Sequence, residues 1–200
     1  MKNIFYIKIG EGDGMNAISL VKSPAVEYDF LKFAKNEKVN LSFNDEKHII
    51  SGVVCLADTP IYRYTPGYGE WYCIFEKETI KKMIIEYSKQ GLWNSINLQH
   101  DDEAFVNGIY LIESYLKDSI RGIVPAEFSD IPDGSWIVSF YVDNEKLWND
   151  IKNSGELNGF SLQGIFDVVP AEEEKEEIIE VEDGDLEKEL DELLKSILAD

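Results

Sequence analysis

Asn158-Gly159-Phe160-Ser161-Leu162-Gln163-Gly164 sets a serine between two glycines, in an apolar run that continues through Ile165 and Phe166. The run has the length and apolar content of a buried strand. A hydroxyl inside such a strand needs a partner, because leaving it unpaired costs about 1–3 kcal/mol. Two readings account for it. The serine bonds to backbone beside a glycine bulge, or it is a nucleophile that takes its base from elsewhere in the chain.

The chain has two histidines to offer as that base. His48 follows Asp45-Glu46-Lys47 and reads as an exposed surface residue. His100 ends Ile96-Asn97-Leu98-Gln99-His100, which alternates as a strand, and Asp101-Asp102-Glu103 follows as a turn. Histidine suits the role because its ordinary pKa lies close to neutral. Its second nitrogen then needs an orienting acceptor. Glu113 is one candidate, a carboxylate among apolar residues on the segment Gly108–Leu116, which is expected to return antiparallel to the His100 strand. Asp101 and Glu103 are nearer in sequence and stay open. Gly159 and Gly164 allow close approach of backbone N–H groups to a developing oxyanion.

Strands are expected over residues 2–9, 41–43, 48–56, 59–64, 71–75 and 135–142. Segment 48–56 pairs with 41–43 across the Asn44-Asp45-Glu46 turn, and 59–64 with 71–75 across Pro66–Gly69. Glu11–Gly14 is a turn, Ala17–Glu27 is extended and turns at Pro24, and Tyr28–Phe33 is a short apolar piece. Helical period appears over 77–90, where Ile80, Met83, Ile84 and Tyr87 share a face and Gly91 is the stop. A second, short helix carries Leu147, Trp148 and Ile151, capped by Asp143 or Asn144 and closed by Gly155. Strands joined by turns with helices inserted define an α+β domain or a β-barrel with helices, over residues 1–169.

From Pro170 the composition changes. Residues 171–200 carry fourteen acids against three bases, and the other 170 residues carry 25 against 16. The charge run Glu172–Glu177 precedes a short amphipathic helix with Leu186, Leu190, Leu193 and Ile197 on one stripe. Residues 170–200 therefore read as an acidic helical tail. A formal charge of −20 argues against nucleic acid or an anionic membrane as partner. Met1–Ile7 is too short and too alternating for a signal peptide, and no apolar run reaches the length of a membrane span. Cys55 and Cys73 lack CxxC spacing and read as buried thiols in a reducing compartment. Gly10–Gly14 lacks the lysine of a phosphate loop, and Asp101–Glu103 forms no calcium loop, so no metal or other cofactor is expected.

Six segments occur in a telling order: Ser19–Phe30, Thr59–Arg63, Asn97–His100, Ile112–Tyr115, Asp133–Val138 and Leu147–Gly164. With them the chain resembles the phage prohead (capsid maturation) serine proteases of the XkdF-like group, themselves distantly similar to the herpesvirus assemblins. The resemblance implies a mostly antiparallel, assemblin-like β-barrel with surrounding helices, His100 as general base and Ser161 as nucleophile. Assemblins complete the site with a histidine downstream of the serine. None follows Ser161 here, so Glu113 is carried as the third member. Gln163 stands where that group leads one to expect an acid, and it is assigned to substrate contacts. The implied substrates are phage scaffold and major capsid proteins, cleaved inside the assembling procapsid in the host cytoplasm, and the implied state is a homodimer. The competing readings are a catalytically silent assembly or scaffolding protein on the same fold and an unrelated cytoplasmic hydrolase.

Overall fold

The computed structural model of the chain describes residues 3–10, 14–22, 41–101, 105–153 and 157–171, and the structural statements below concern these. The chain divides between Val169 and Pro170 into two units, and the architecture is that of the first. The sequence expectations for Tyr28–Phe33, the turn residues Asp102 and Glu103, the closing Gly155 and the tail helix lie outside the described residues.

Eleven strands and two α-helices are described: β1 (Ile4–Lys8), β2 (Gly14–Val21), β3 (Ser42–Asn44), β4 (Ile49–Cys55), β5 (Ile61–Thr65), β6 (Gly69–Phe75), α1 (Lys77–Lys89), β7 (Ile96–Leu98), β8 (Ile109–Leu116), β9 (Trp136–Val142), α2 (Glu145–Asn153), β10 (Gly159–Ile165) and β11 (Asp167–Pro170). They form three sheets, ordered β11-β1-β6-β5, β10-β2-β7 and β3-β4-β9-β8. The class is α+β, mostly strand. The sheets do not close into a barrel among the described residues. Most pairings are antiparallel, but β1 runs parallel to β6 and β2 parallel to β7.

The β3–β4 and β5–β6 hairpins form where the turn residues allow them. In the second, Gly67 and Gly69 take φ of 87° and 94°, a region that a side chain disfavours. Helix α1 buries Ile80, Met83 and Tyr87, and the Tyr87 ring meets Trp136 edge-on at 5.5 Å. Asn144 resolves the choice of cap for α2: its Oδ1 accepts the Leu147 N–H at 2.8 Å. Cys55 and Cys73 are buried and not disulfide-bonded, and burial pushes both thiols up.

The sheet β10-β2-β7 lies against β4. A Cβ on Gly52 of β4 would come within 2.8 Å of both Leu41 and Phe160, so this glycine is what lets the Phe160 ring of β10 seat there. Phe160 then contacts Phe140 of β9 at 5.3 Å between ring centroids. This contact buries the core side of the strand that carries Ser161.

Two sequence expectations are corrected. β8 does not return against β7. Its eight residues pair with the seven of β9, from Ile109↔Val142 to Leu116↔Trp136. β7 has only three residues and pairs with β2, so it offers β8 no ladder of comparable length. After His100 the chain meets β7 again through a single bridge, Asn97↔Phe105. His48 is half-buried rather than exposed: its ring stacks on Trp148 at 5.0 Å with an interplanar angle of 12°.

Candidate active site

Three strands of this sheet carry the same local pattern, a polar residue between two large apolar ones: Ile18-Ser19-Leu20, Ile96-Asn97-Leu98 and Phe160-Ser161-Leu162. In a strand the flanking residues point one way and the middle residue the other. Register aligns the three middles, Ser161 opposite Ser19 and Ser19 opposite Asn97. Partners in register share a face, so the three polar side chains stand in one row. The apolar neighbours take the other face, where Ile18, Leu20, Ile96 and Phe160 are buried.

His100 reaches this row through a turn. The strand ends at Leu98, and Gln99 and His100 both take left-handed backbone, with φ of 55° and 61°. The Asp101 N–H bonds the Leu98 carbonyl at 3.0 Å. Two left-handed central residues under such a bond are the mark of a type I′ turn. The turn decides which face His100 joins. In a strand continued through His100, residues 97 and 100 would point to opposite faces. The turn instead brings the imidazole onto the face of Asn97, and its Nδ1 lies 3.0 Å from Ser19 Oγ. Left-handed backbone on non-glycine residues is unfavourable and persists where neighbours enforce it. Here the Gln99 N–H bonds the Leu20 carbonyl at 3.0 Å, and Gln99 Oε1 accepts the Lys22 N–H at 3.3 Å. The start of β10 is tied to the same end of β2. Asn158 Nδ2 donates to the Lys22 carbonyl at 2.8 Å and its backbone N–H to the Val21 carbonyl at 2.9 Å.

Around Ser19 the polar atoms form a chain. Ser19 Oγ donates to Asn97 Oδ1 at 2.5 Å, and Asn97 Nδ2 donates to Gln163 Oε1 at 2.6 Å. Gln163 Oε1 is also 3.4 Å from Ser19 Oγ. Ser19 and Asn97 are both fully buried, Ser161 and Gln163 are half-buried, and Gln99, His100 and Asp101 stand exposed at the rim. Burial first, and then the Arg63 guanidinium, hold the His100 imidazole below its ordinary pKa. A ring so placed is neutral at neutral pH and able to accept a proton.

The other predicted site residues fall as follows. Gln163 accepts from the Asn97 side-chain amide and lies beside the Ser19 hydroxyl. Gly159 is buried at the start of β10, opposite Val21. Gly164 marks a register shift, and a Cβ there would overlap the Gly14 carbonyl oxygen and stand 2.8 Å from the Phe166 ring. Close strand approach is thus sufficient reason for this glycine. Glu113 lies on β8, in the sheet β3-β4-β9-β8. Its Oε2 accepts the Ser139 hydroxyl at 2.5 Å, and the atom that meets His100 Nδ1 is Ser19 Oγ. Ser19 and Asn97 are the site residues that sequence reasoning passed over. The thrice-repeated apolar–polar–apolar triplet was the available signal. Among the described residues no cluster of three or more His, Cys, Asp and Glu is placed to hold a metal ion.

The family comparison reaches the same strands. Residues 37–170 match the family described as "Putative phage serine protease XkdF", and the chain belongs to that family. The matched span contains Asn97, His100, Ser161 and Gln163; Ser19 precedes it. Neither the curated proteins nor the solved structures provide a match.

Proposed function

We propose that the protein is a serine endopeptidase of phage capsid maturation, with Ser161 as nucleophile and His100 as general base. The observation that carries the reading is the row Ser161–Ser19–Asn97, with the imidazole of a phage serine protease family member held against its middle residue. Ser161 Oγ attacks the scissile carbonyl carbon and its proton passes to His100 Nε2. Collapse of the tetrahedral intermediate breaks the C–N bond, and His100 returns the proton to the departing amine. Water then repeats the sequence on the acyl-enzyme. β10 is an edge strand of its sheet among the described residues, and backbone N–H groups on this edge, from Gly159 onward, are the proposed oxyanion donors. Glu113 is left outside the mechanism because its carboxylate is engaged by Ser139.

The proposed substrates are the scaffold and major capsid proteins of the same phage, cleaved inside the procapsid in the host cytoplasm by a homodimer. Co-expression with those proteins, followed by intact mass, tests this. Defined truncations are expected with the wild type and none with Ser161→Ala or His100→Ala. Truncations that persist in Ser161→Ala remove the serine assignment. Shells that assemble without processing under either protein favour a silent assembly factor.

A further inference from the structure

We propose that Ser19 is the residue that positions His100: its hydroxyl accepts the imidazole Nδ1–H, holds the ring in the Nδ1–H tautomer and leaves Nε2 bare as the base. The inference rests on the proposed protease reading and supplies its third member, a neutral hydroxyl in place of an acid.

The argument is one of counting protons. A serine hydroxyl has one proton to give and lone pairs to accept with. Ser19 gives its proton to Asn97 Oδ1 at 2.5 Å, so the contact at 3.0 Å to His100 Nδ1 must run from the ring to the serine. Asn97 in turn passes an Nδ2 proton to Gln163 Oε1, which closes the chain on the same strand as Ser161. Donors and acceptors alternate along the path His100, Ser19, Asn97, Gln163. Reversing both amides would reverse the path, make Ser19 the donor to Nδ1 and put the ring proton on Nε2, where it could not take one from Ser161. The two senses therefore predict opposite tautomers, and free histidine favours the Nε2–H form that the reversed path would leave in place.

Ser19 is itself a serine beside a histidine, but two observations set it apart from a nucleophile. It is fully buried, so a scissile carbonyl has no route to it, and its proton is directed away from the imidazole. Ser161, opposite it in register, is only half-buried.

The direct test is the tautomer of His100 in the full-length wild-type protein, read from long-range 1H–15N correlations of 15N-labelled histidine. With two histidines in the chain, His48→Gln identifies the His100 signals. A protonated Nδ1 and a bare Nε2 are expected above the pKa of the ring. A wild-type His100 in the Nε2–H form overturns the proposal without any variant having to fold. Ser19→Ala is then expected to shift the tautomer toward Nε2–H and to lower kcat about a hundredfold with KM little changed. Ser19→Thr, which keeps the hydroxyl, should restore both. Full kcat in Ser19→Ala overturns the positioning role. Processing lost in Ser19→Ala but retained in Ser161→Ala makes Ser19 the nucleophile and overturns both the positioning role and the Ser161 assignment. An inactive Ser161→Ala together with the Nε2–H tautomer sinks the Ser19 role alone.

Discussion

Two polar rows cross this molecule, and they differ in what meets their middle serine. One runs Ser161–Ser19–Asn97 across β10, β2 and β7. The other runs Glu113–Ser139–Ser51 across β8, β9 and β4. Each has a buried serine at its middle with one proton to place. Ser19 gives its proton to an amide at 2.5 Å and Ser139 to a carboxylate at 2.5 Å. Each middle oxygen then has lone pairs left. In the second row Ser51 Oγ fills one at 2.9 Å, and the row is complete with hydroxyls and an exposed carboxylate. In the first row the remaining contact is an imidazole that arrives over the face from a left-handed turn. A buried serine is easily satisfied by a neighbouring strand. On the proposed reading, a base brought over the row is what turns the same arrangement toward chemistry.

The hardest blow to this comparison falls on Ser161 of the first row and on the imidazole held over it. Ser161→Ala and His100→Ala should each lower proteolysis by about a thousandfold or more, measured as truncation of co-expressed capsid and scaffold proteins. The second row should respond in stability and not in rate. Ser139→Ala removes the hydroxyl between Glu113 and Ser51 and is expected to cost about 1–3 kcal/mol in denaturant unfolding, with kcat unchanged. Glu113→Gln is expected to leave kcat within about twofold, and a collapse of activity there would join the two rows into one site.

A smaller effect tests the turn. Gln99→Gly relieves a left-handed side-chain-bearing residue and should raise stability by up to about 1 kcal/mol. It should nonetheless lower kcat, because Gln99 Oε1 helps fix the turn that aims the imidazole. Equal or higher kcat in this variant would mean that the turn's rigidity is irrelevant to the site. The smallest effect is electrostatic. Burial and then the Arg63 cation hold the His100 pKa down, so the acidic limb of kcat/KM should lie below the ordinary histidine value. Arg63→Gln removes only the second cause. The His100 pKa then rises, a smaller fraction of the ring is neutral at mildly acidic pH, and the limb moves to higher pH. A limb that stays in place would show that the Arg63 charge does not reach the ring in solution.

Much of this was legible from the residues. Helical period at Ile80, Met83 and Tyr87 marked α1, and the β3–β4 and β5–β6 hairpins followed from alternation and turn chemistry. The serine strand was legible as well, because Gly159-Phe160-Ser161-Leu162-Gln163-Gly164 is a strand with a polar interruption. Pairing was not. β7 looked like a partner for β8 because the two are neighbours in sequence, yet β8 pairs with β9 and β7 with β2. Strand order depends on which ladders of matching length the folded chain can assemble, and local patterning is silent on it.

The sequence by itself determined the elements, the scarcity of histidine and the presence of a serine in a core strand, since period, turn residues and composition are local properties. Only the tertiary structure decided which groups meet. It took the parallel pairing of β2 with β7 to set Ser19 beside Asn97, and the antiparallel pairing of β10 to bring Ser161 opposite Ser19. A pair of left-handed residues then put His100 on the face of that row. Those contacts join residues far apart in the chain, and their energy depends on register and on the one proton each hydroxyl can give, which no window of sequence contains.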